Sequence, residues 1–355
     1  MNLIIETVDT GVLKKMRNKN KEVIVPNELS NETKASMKTR IISAAVAIVI
    51  CAPLLILGEF FTYALMTFLL FVGNYEIIHC AKRKYNPALY IVAFILALLL
   101  INGPAIMALP EIINSGTFDW HLYELFDRTY ISISIIAFSA FGLFFMILID
   151  KGFTVRDACF IFTMMLIICL GLQSALYVRY IPSKMYHLYN PDANLPYFNS
   201  YDNFESALFL IYLLLGTLMT DTGAYFVGVF FGKHKMNERI SPKKTWEGFF
   251  GGIIISSFVS FAFGFLLAIF KHPLVMGVLD FDHWYLILIL SIIIPFVSTL
   301  GDFVFSSVKR FYGIKDFGNI MPGHGGVLDR IDSVIFVLIV ASMFMMLVSY
   351  IMRIN

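Results

Sequence analysis

Along this chain, runs of about twenty apolar residues alternate with short polar breaks rich in lysine, aspartate or glycine. A bilayer core of ~30 Å needs about 20 apolar residues per helix. On that ruler nine segments read as spans: Ile41–Leu57, Phe60–His79, Ala88–Leu109, Tyr130–Ile149, Ala158–Val178, Ser206–Phe231, Phe249–Phe270, Trp284–Phe305 and Ile331–Met352. The first two form a tight hairpin about Gly58 and Glu59. Residues 1–40 are polar and lysine-rich, lack a clear period, and read as a flexible cytosolic tail. The expected class is an all-α polytopic transmembrane bundle. Its organisation is the tail, an N-terminal transmembrane region (41–204) and a C-terminal transmembrane region (205–355) with cytosolic loops at 232–248 and 306–330.

Composition narrows the class further. Hydrophobic residues make up 58% of the 355 positions and charged residues only 15%, with a mean hydropathy of +0.77. A soluble domain carries roughly 25% charged residues, and disordered, collagen-like or disulfide-scaffold chains have other compositions again. The cysteines Cys51, Cys80, Cys159 and Cys169 lie in or beside apolar segments without a CxxC spacing, and read as small hydrophobes.

The net charge of +2 says less than its distribution. With a cytosolic N-terminus, the inside segments hold 22 of the 27 Lys and Arg residues and the outside segments 5. Basic residues gather on the cytosolic side, so the split favours nine spans with the N-terminus in and the C-terminus out.

Charged groups within spans are rare and usually functional. Asp221 sits inside the sixth span, about ten residues and hence ~15 Å from its cytosolic end. Asp302 lies near the cytosolic end of the eighth. Glu76, at the end of the second, carries a weaker signal. The loops after the two aspartates are dense in chemistry. One holds Lys233, His234 and Lys235, then Ser241-Pro242-Lys243-Lys244-Thr245-Trp246-Glu247-Gly248. The other runs from Ser306 through Lys309-Arg310, Lys315-Asp316 and Pro322-Gly323-His324-Gly325-Gly326 to Asp329-Arg330-Ile331-Asp332. Orientation alone explains the lysines. It does not explain four aspartates interleaved with four basic residues, or three glycines flanking a histidine. Glycines of this kind let backbone N–H groups approach anionic oxygens. Carboxylates, basic residues and exposed amides together suit a metal-bound polyphosphate. No Walker A or GxGxxG sequence is present. The pattern therefore points to a soluble nucleoside triphosphate meeting a phosphate-bearing membrane lipid.

These residues resemble the phosphatidate cytidylyltransferase (CDP-diacylglycerol synthase) family. The likeness is carried by Ser306 to Asp332, with Lys309, Arg310, Lys315, Asp316, the Pro-Gly-His-Gly-Gly core and Asp329-Arg330-Ile331-Asp332 in place. Asp221-Thr222 and Ser241 to Gly248 add to it, and Arg40-Ile41 and Tyr75-Glu76 are fainter echoes. The resemblance implies transfer of a cytidylyl group from CTP to phosphatidate with Mg²⁺, in a helical and often homodimeric protein of the bacterial cell membrane. It further implies that Asp302 and Asp329 hold the metal. Lys309, Arg310, Lys315 and Arg330 are then expected to neutralise triphosphate and headgroup. Asp316 and Asp332 are candidates to orient bases or bind a second cation, and His324 to position substrate. Ser241, Lys243, Lys244, Ser306, Gly325 and Gly326 are candidate substrate contacts, and Asp221 either ligates metal or holds the loop. The rival readings are a CTP-dependent polyprenol kinase and a transporter with Asp221 and Glu76 on an ion path. The second sits poorly with polar residues gathered at one face and no internal repeat.

Overall fold

The computed structural model describes residues 31–115, 129–189, 200–323 and 325–352. Among them are nine α-helices and one small hairpin: α1 (Asn31–Leu57), α2 (Glu59–Cys80), α3 (Pro87–Ser115), α4 (Thr129–Ile149), α5 (Val155–Tyr189), α6 (Ser200–Phe231), β1 (Lys235–Asn237), β2 (Ser241–Thr245), α7 (Trp246–Ile269), α8 (Trp284–Phe311) and α9 (Leu328–Ile351). Each expected span falls on one helix. Six of the helices are long and apolar enough to cross a membrane, while Ala45–Leu57, Pro87–Asn102 and Ile133–Ile149 are shorter apolar stretches.

Three boundaries differ from the sequence reading. First, α1 begins at Asn31, inside the segment expected to be tail, because Glu32, Lys34, Ala35, Met37 and Lys38 are good helix formers. Second, α8 continues to Phe311, so Ser306, Lys309 and Arg310 are helical. Third, α9 starts at Leu328, which puts Asp329 in its first turn, where the sequence reading had it just ahead of the helix. The tail up to residue 30 and His324 lie outside the described residues.

Local chemistry explains the entries into helices. Pro87 occupies the first position of α3, where its missing N–H removes no hydrogen bond, and Asn86 Oδ1 accepts from Ala88 N at 3.0 Å. Ahead of α5, Thr154 Oγ1 accepts from Asp157 N (3.3 Å) while Asp157 Oδ2 accepts from Thr154 N (3.1 Å), a reciprocal cap. Arg83 pairs with the same carboxylate at 3.1 Å, tying the turn after α2 to the start of α5.

The helices pack mainly with chain neighbours: α6 on α7, α7 on α8 and α8 on α9, with α5 against α9, α6 and α2. Between α6 and α7 the contact is backbone-close. A Cβ at Gly251 would lie 2.5 Å from Val227, and one at Gly252 2.9 Å from the Thr220 carbonyl oxygen. Small residues permit this where lipid supplies no hydrophobic drive between helices. It brings the C-terminal end of α6, the hairpin and the N-terminal end of α7 into one unit. In the hairpin, Lys235 pairs with Thr245 and Asn237 with Ser241.

Candidate active site

Charged side chains converge where the ends of α6, α8 and α9 meet β2. On α8, Asp302, Ser306 and Lys309 fall at i, i+4 and i+7, on one face. Ser306 Oγ donates to Asp302 Oδ1 at 3.2 Å. The other oxygen of Asp302 is ion-paired with Lys244 from β2, and the Lys244 ammonium also lies 4.8 Å from the Phe303 ring centre. Strand alternation sends Lys243 the other way, and it is exposed.

Lys309 crosses to α9. Its Nζ lies 2.9 Å from Asp329 Oδ1 and 3.6 Å from Asp332 Oδ2. The three side chains are only 10%, 2% and 11% exposed, in that order. Such buried groups are tolerated because they compensate one another. Asp332 also faces the charges of Asp302 and Asp221. Asp221 in turn faces Lys244, Asp302 and Arg330. Four carboxylates and three cations from four elements thus share one field. Asp221 is exposed although it lies ten residues before the end of α6. Asp221 thus reaches the flank of the bundle ~15 Å from that end.

The segment between α8 and α9 is held from within. Asp329 Oδ2 accepts from Phe317 N (2.8 Å) and Gly326 N (3.0 Å). Glu76 of α2 accepts from Val327 N at 2.9 Å and Leu328 N at 2.8 Å. Gly325 and Met321 exchange backbone hydrogen bonds of 3.1 and 2.9 Å. The amide cradle for phosphate expected at Gly325 and Gly326 is therefore not what the structure shows, since both N–H groups are engaged. The glycines answer other needs. Gly325 has φ +88°, and a Cβ on Gly326 would sit 2.5 Å from Glu76 Oε1.

Arg310 also departs from expectation. Its Nε donates to Ile240 O (3.2 Å) and Nη1 to Ile314 O (3.1 Å), so it staples the hairpin turn to the end of α8 instead of facing the shared field. Ser241 opens β2 and is half-buried, and Lys315 and Asp316 are exposed. The side chain of Asp316 lies against Gly325, where a Cβ would be 3.1 Å from it.

Two acidic residues outside the expected set organise this region. Glu76 is 1% exposed. Its signal in the sequence was a lone carboxylate closing an apolar run. Glu247, in the first turn of α7, accepts from Lys233 N at 3.1 Å and lies 2.5 Å from His234 Nδ1. It clamps the start of the hairpin.

The donor set bears on Mg²⁺. Hard carboxylate oxygens suit it, and Asp302, at 24% exposure and already drawing an ammonium group, offers such a donor. Asp329 has both oxygens committed to Lys309 and two backbone amides. Asp332 and Asp221 share the field of Asp302 more directly. Among the described residues no three His, Cys, Asp or Glu side chains form a ready-made cage. The residues fit a cation held partly by protein and partly by the phosphates it accompanies, as Mg²⁺ commonly is.

A family model described as the cytidylyltransferase family matches residues 38–348. Among curated relatives, a protein of Staphylococcus saprophyticus named phosphatidate cytidylyltransferase is 33% identical over 304 residues, covering 85% of this chain and 96% of the relative. One of Staphylococcus epidermidis with the same name is 33% identical over 306 residues, with the same shares. A third, from Staphylococcus aureus, is 29% identical over 303 residues, again covering 85% and 96%.

Proposed function

The chain belongs to the cytidylyltransferase family, and on that premise we propose that it joins CTP to phosphatidate, giving CDP-diacylglycerol and pyrophosphate for phospholipid synthesis. It is a nucleotidyltransferase. The observation that carries the assignment of the site is the field shared by Lys244, Asp302, Lys309, Asp329, Asp332 and Asp221 from four elements. A membrane phosphate and a soluble triphosphate are both polyanions, and charge neutralisation dominates their reaction.

In this reading the chain has nine spans with a cytosolic N-terminus, which the 22-to-5 split of basic residues supports. The site then opens to the cytosol of a bacterial cell, where CTP is available. The homodimer implied by the family likeness belongs to the same proposal. A phosphate oxygen of phosphatidate attacks the α-phosphorus of CTP. A new P–O bond forms, the α–β bridging bond breaks, and pyrophosphate departs with the electron pair. The attacking monoester is already largely ionised at neutral pH, so no general base is required. Lys244 and Lys309 pair with aspartates in the free chain and turn toward the phosphates when these arrive; Arg330 adds to the positive field. Asp302 would hold Mg²⁺, with Asp332 and Asp221 in the same field of charge, while Asp329, which the family likeness makes a second ligand, has both oxygens engaged by Lys309 and two loop amides and would act through them. When bound, the cation neutralises the triphosphate and the departing oxygen. The exposed flank at Asp221 gives a lipid headgroup lateral access.

The test is radiolabelled CTP offered with phosphatidate or with a polyprenol. Cytidine label in the lipid fraction, dependent on phosphatidate, is expected. Phosphate transfer to the polyprenol instead would favour the lipid-kinase reading.

A further inference from the structure

We propose that Glu76 is a positioning residue for this transfer, a carboxylate of α2 that fixes the start of α9 and with it Asp329 and Asp332. The inference deepens the function proposed above and rests on it for what the positioned carboxylates do.

The first N–H groups of any helix lack partners within the helix. A Ser, Thr, Asp or Asn at the cap position commonly satisfies one of them. In α9 that position is Val327, which has no acceptor. Glu76 supplies both oxygens instead, at 2.9 Å to Val327 N and 2.8 Å to Leu328 N. Asp329 takes the preceding amide, Gly326 N, at 3.0 Å. Two carboxylates thus divide three consecutive amides. A local cap would hold the helix only to its own loop. A cap delivered from α2 ties the helix start to another element and sets where Asp329 and Asp332 stand in the bundle.

Packing around Glu76 points the same way. A Cβ at Gly318 or at Gly326 would lie 2.5 Å from Glu76 Oε1, so the loop closes on this carboxylate from two sides. One turn back on α2, a Cβ at Gly73 would meet Leu328 at 3.2 Å. The negative charge lies at the N-terminal end of the α9 dipole, where it is favourable. Lys309 bridges Asp329 and Asp332 together, so a shift in the first turn of α9 disturbs both contacts at once. A displacement of about 1 Å at such a site costs roughly 100-fold in rate.

Glu76→Gln keeps the size of the side chain and one good acceptor, but not the charge. In the full-length protein it is expected to lower kcat about 100-fold, with KM for CTP and phosphatidate changing by less than about threefold. Hydrogen exchange, read without substrates, is expected to quicken in peptides covering 325–330 and to stay at the wild-type rate in α6 and α7. If Glu76→Gln does not accumulate, Gly326→Ala presses on the same carboxylate from the loop and is expected to give the same pair of changes. Loss of Gly326→Ala damage in a Glu76→Ala background would add direct support. Wild-type kcat in Glu76→Gln, or quickened exchange across the whole chain, would overturn the positioning role. Because exchange needs no substrate, the two readings fail separately. Local loosening at 325–330 in a chain whose wild type ignores CTP and phosphatidate would sink the function and leave the clamp.

Discussion

The two ends of the helical bundle treat charge differently. Away from the hairpin, His272 Nδ1 lies 2.7 Å from Glu205 Oε1, joining the turn after α7 to the start of α6. His283 lies 2.9 Å from Asp280, three residues earlier. Arg179 of α5 donates to the carbonyls of Leu55 and Ile56 at 2.8 and 3.1 Å, where the last turn of α1 leaves acceptors open. Each contact closes a loop or a helix end. At the hairpin end, Lys309 serves two aspartates, and Asp302 stands in one field with Lys244, Asp221 and Asp332. Charges closed on a neighbour hold structure. Charges shared among several partners can be redistributed when a polyanion and a cation arrive.

The largest effect that sharpens this contrast is expected from Asp302→Asn. Formation of the cytidine lipid should fall about a thousandfold, as when preorganised charge stabilisation is lost, with the protein still in the membrane fraction. Near-normal turnover at saturating Mg²⁺ would show that Asp302 belongs with the structural charges. Lys309→Met comes next. It leaves Asp329 and Asp332 buried without their cation, and about 3–5 kcal/mol of stability should be lost, visible as a lower melting temperature in detergent. An unchanged melt would mean that the pairing is not holding α8 to α9. The smallest effect is expected at the other end. His272→Ala should leave turnover unchanged and shift stability by no more than about 1 kcal/mol, since the pair is partly exposed. A large loss of activity there would erase the difference between the two ends.

Much of this was legible in the sequence. Each of the nine apolar runs falls on a helix among the described residues, because a twenty-residue apolar run depends little on tertiary context. Asp221 and Asp302 could be singled out because charge among apolar residues is costly and therefore conspicuous, and Lys244, Lys309, Asp329 and Asp332 because acidic and basic residues interleave there beyond what orientation requires. What each of them touches could not be read. The amides of Gly325 and Gly326 are taken by Met321 O and Asp329 Oδ2, and the next two by Glu76, which comes from a helix some 250 residues earlier. Arg310 looked like its neighbour Lys309, yet one residue along a helix turns a side chain by about 100°, toward the hairpin carbonyl of Ile240. The helix boundaries at Phe311 and Leu328 escaped the reading because glycine and charge resemble loop composition wherever a helix end carries the chemistry.

Pyrophosphate release by the purified protein, given phosphatidate and each of CTP, ATP, GTP and UTP in turn with Mg²⁺, tests the central claim most directly. Release with CTP alone, matched mole for mole by a cytidine-bearing lipid and absent without phosphatidate, is the expected result. Equal release with all four nucleotides, or none with CTP, would contradict it.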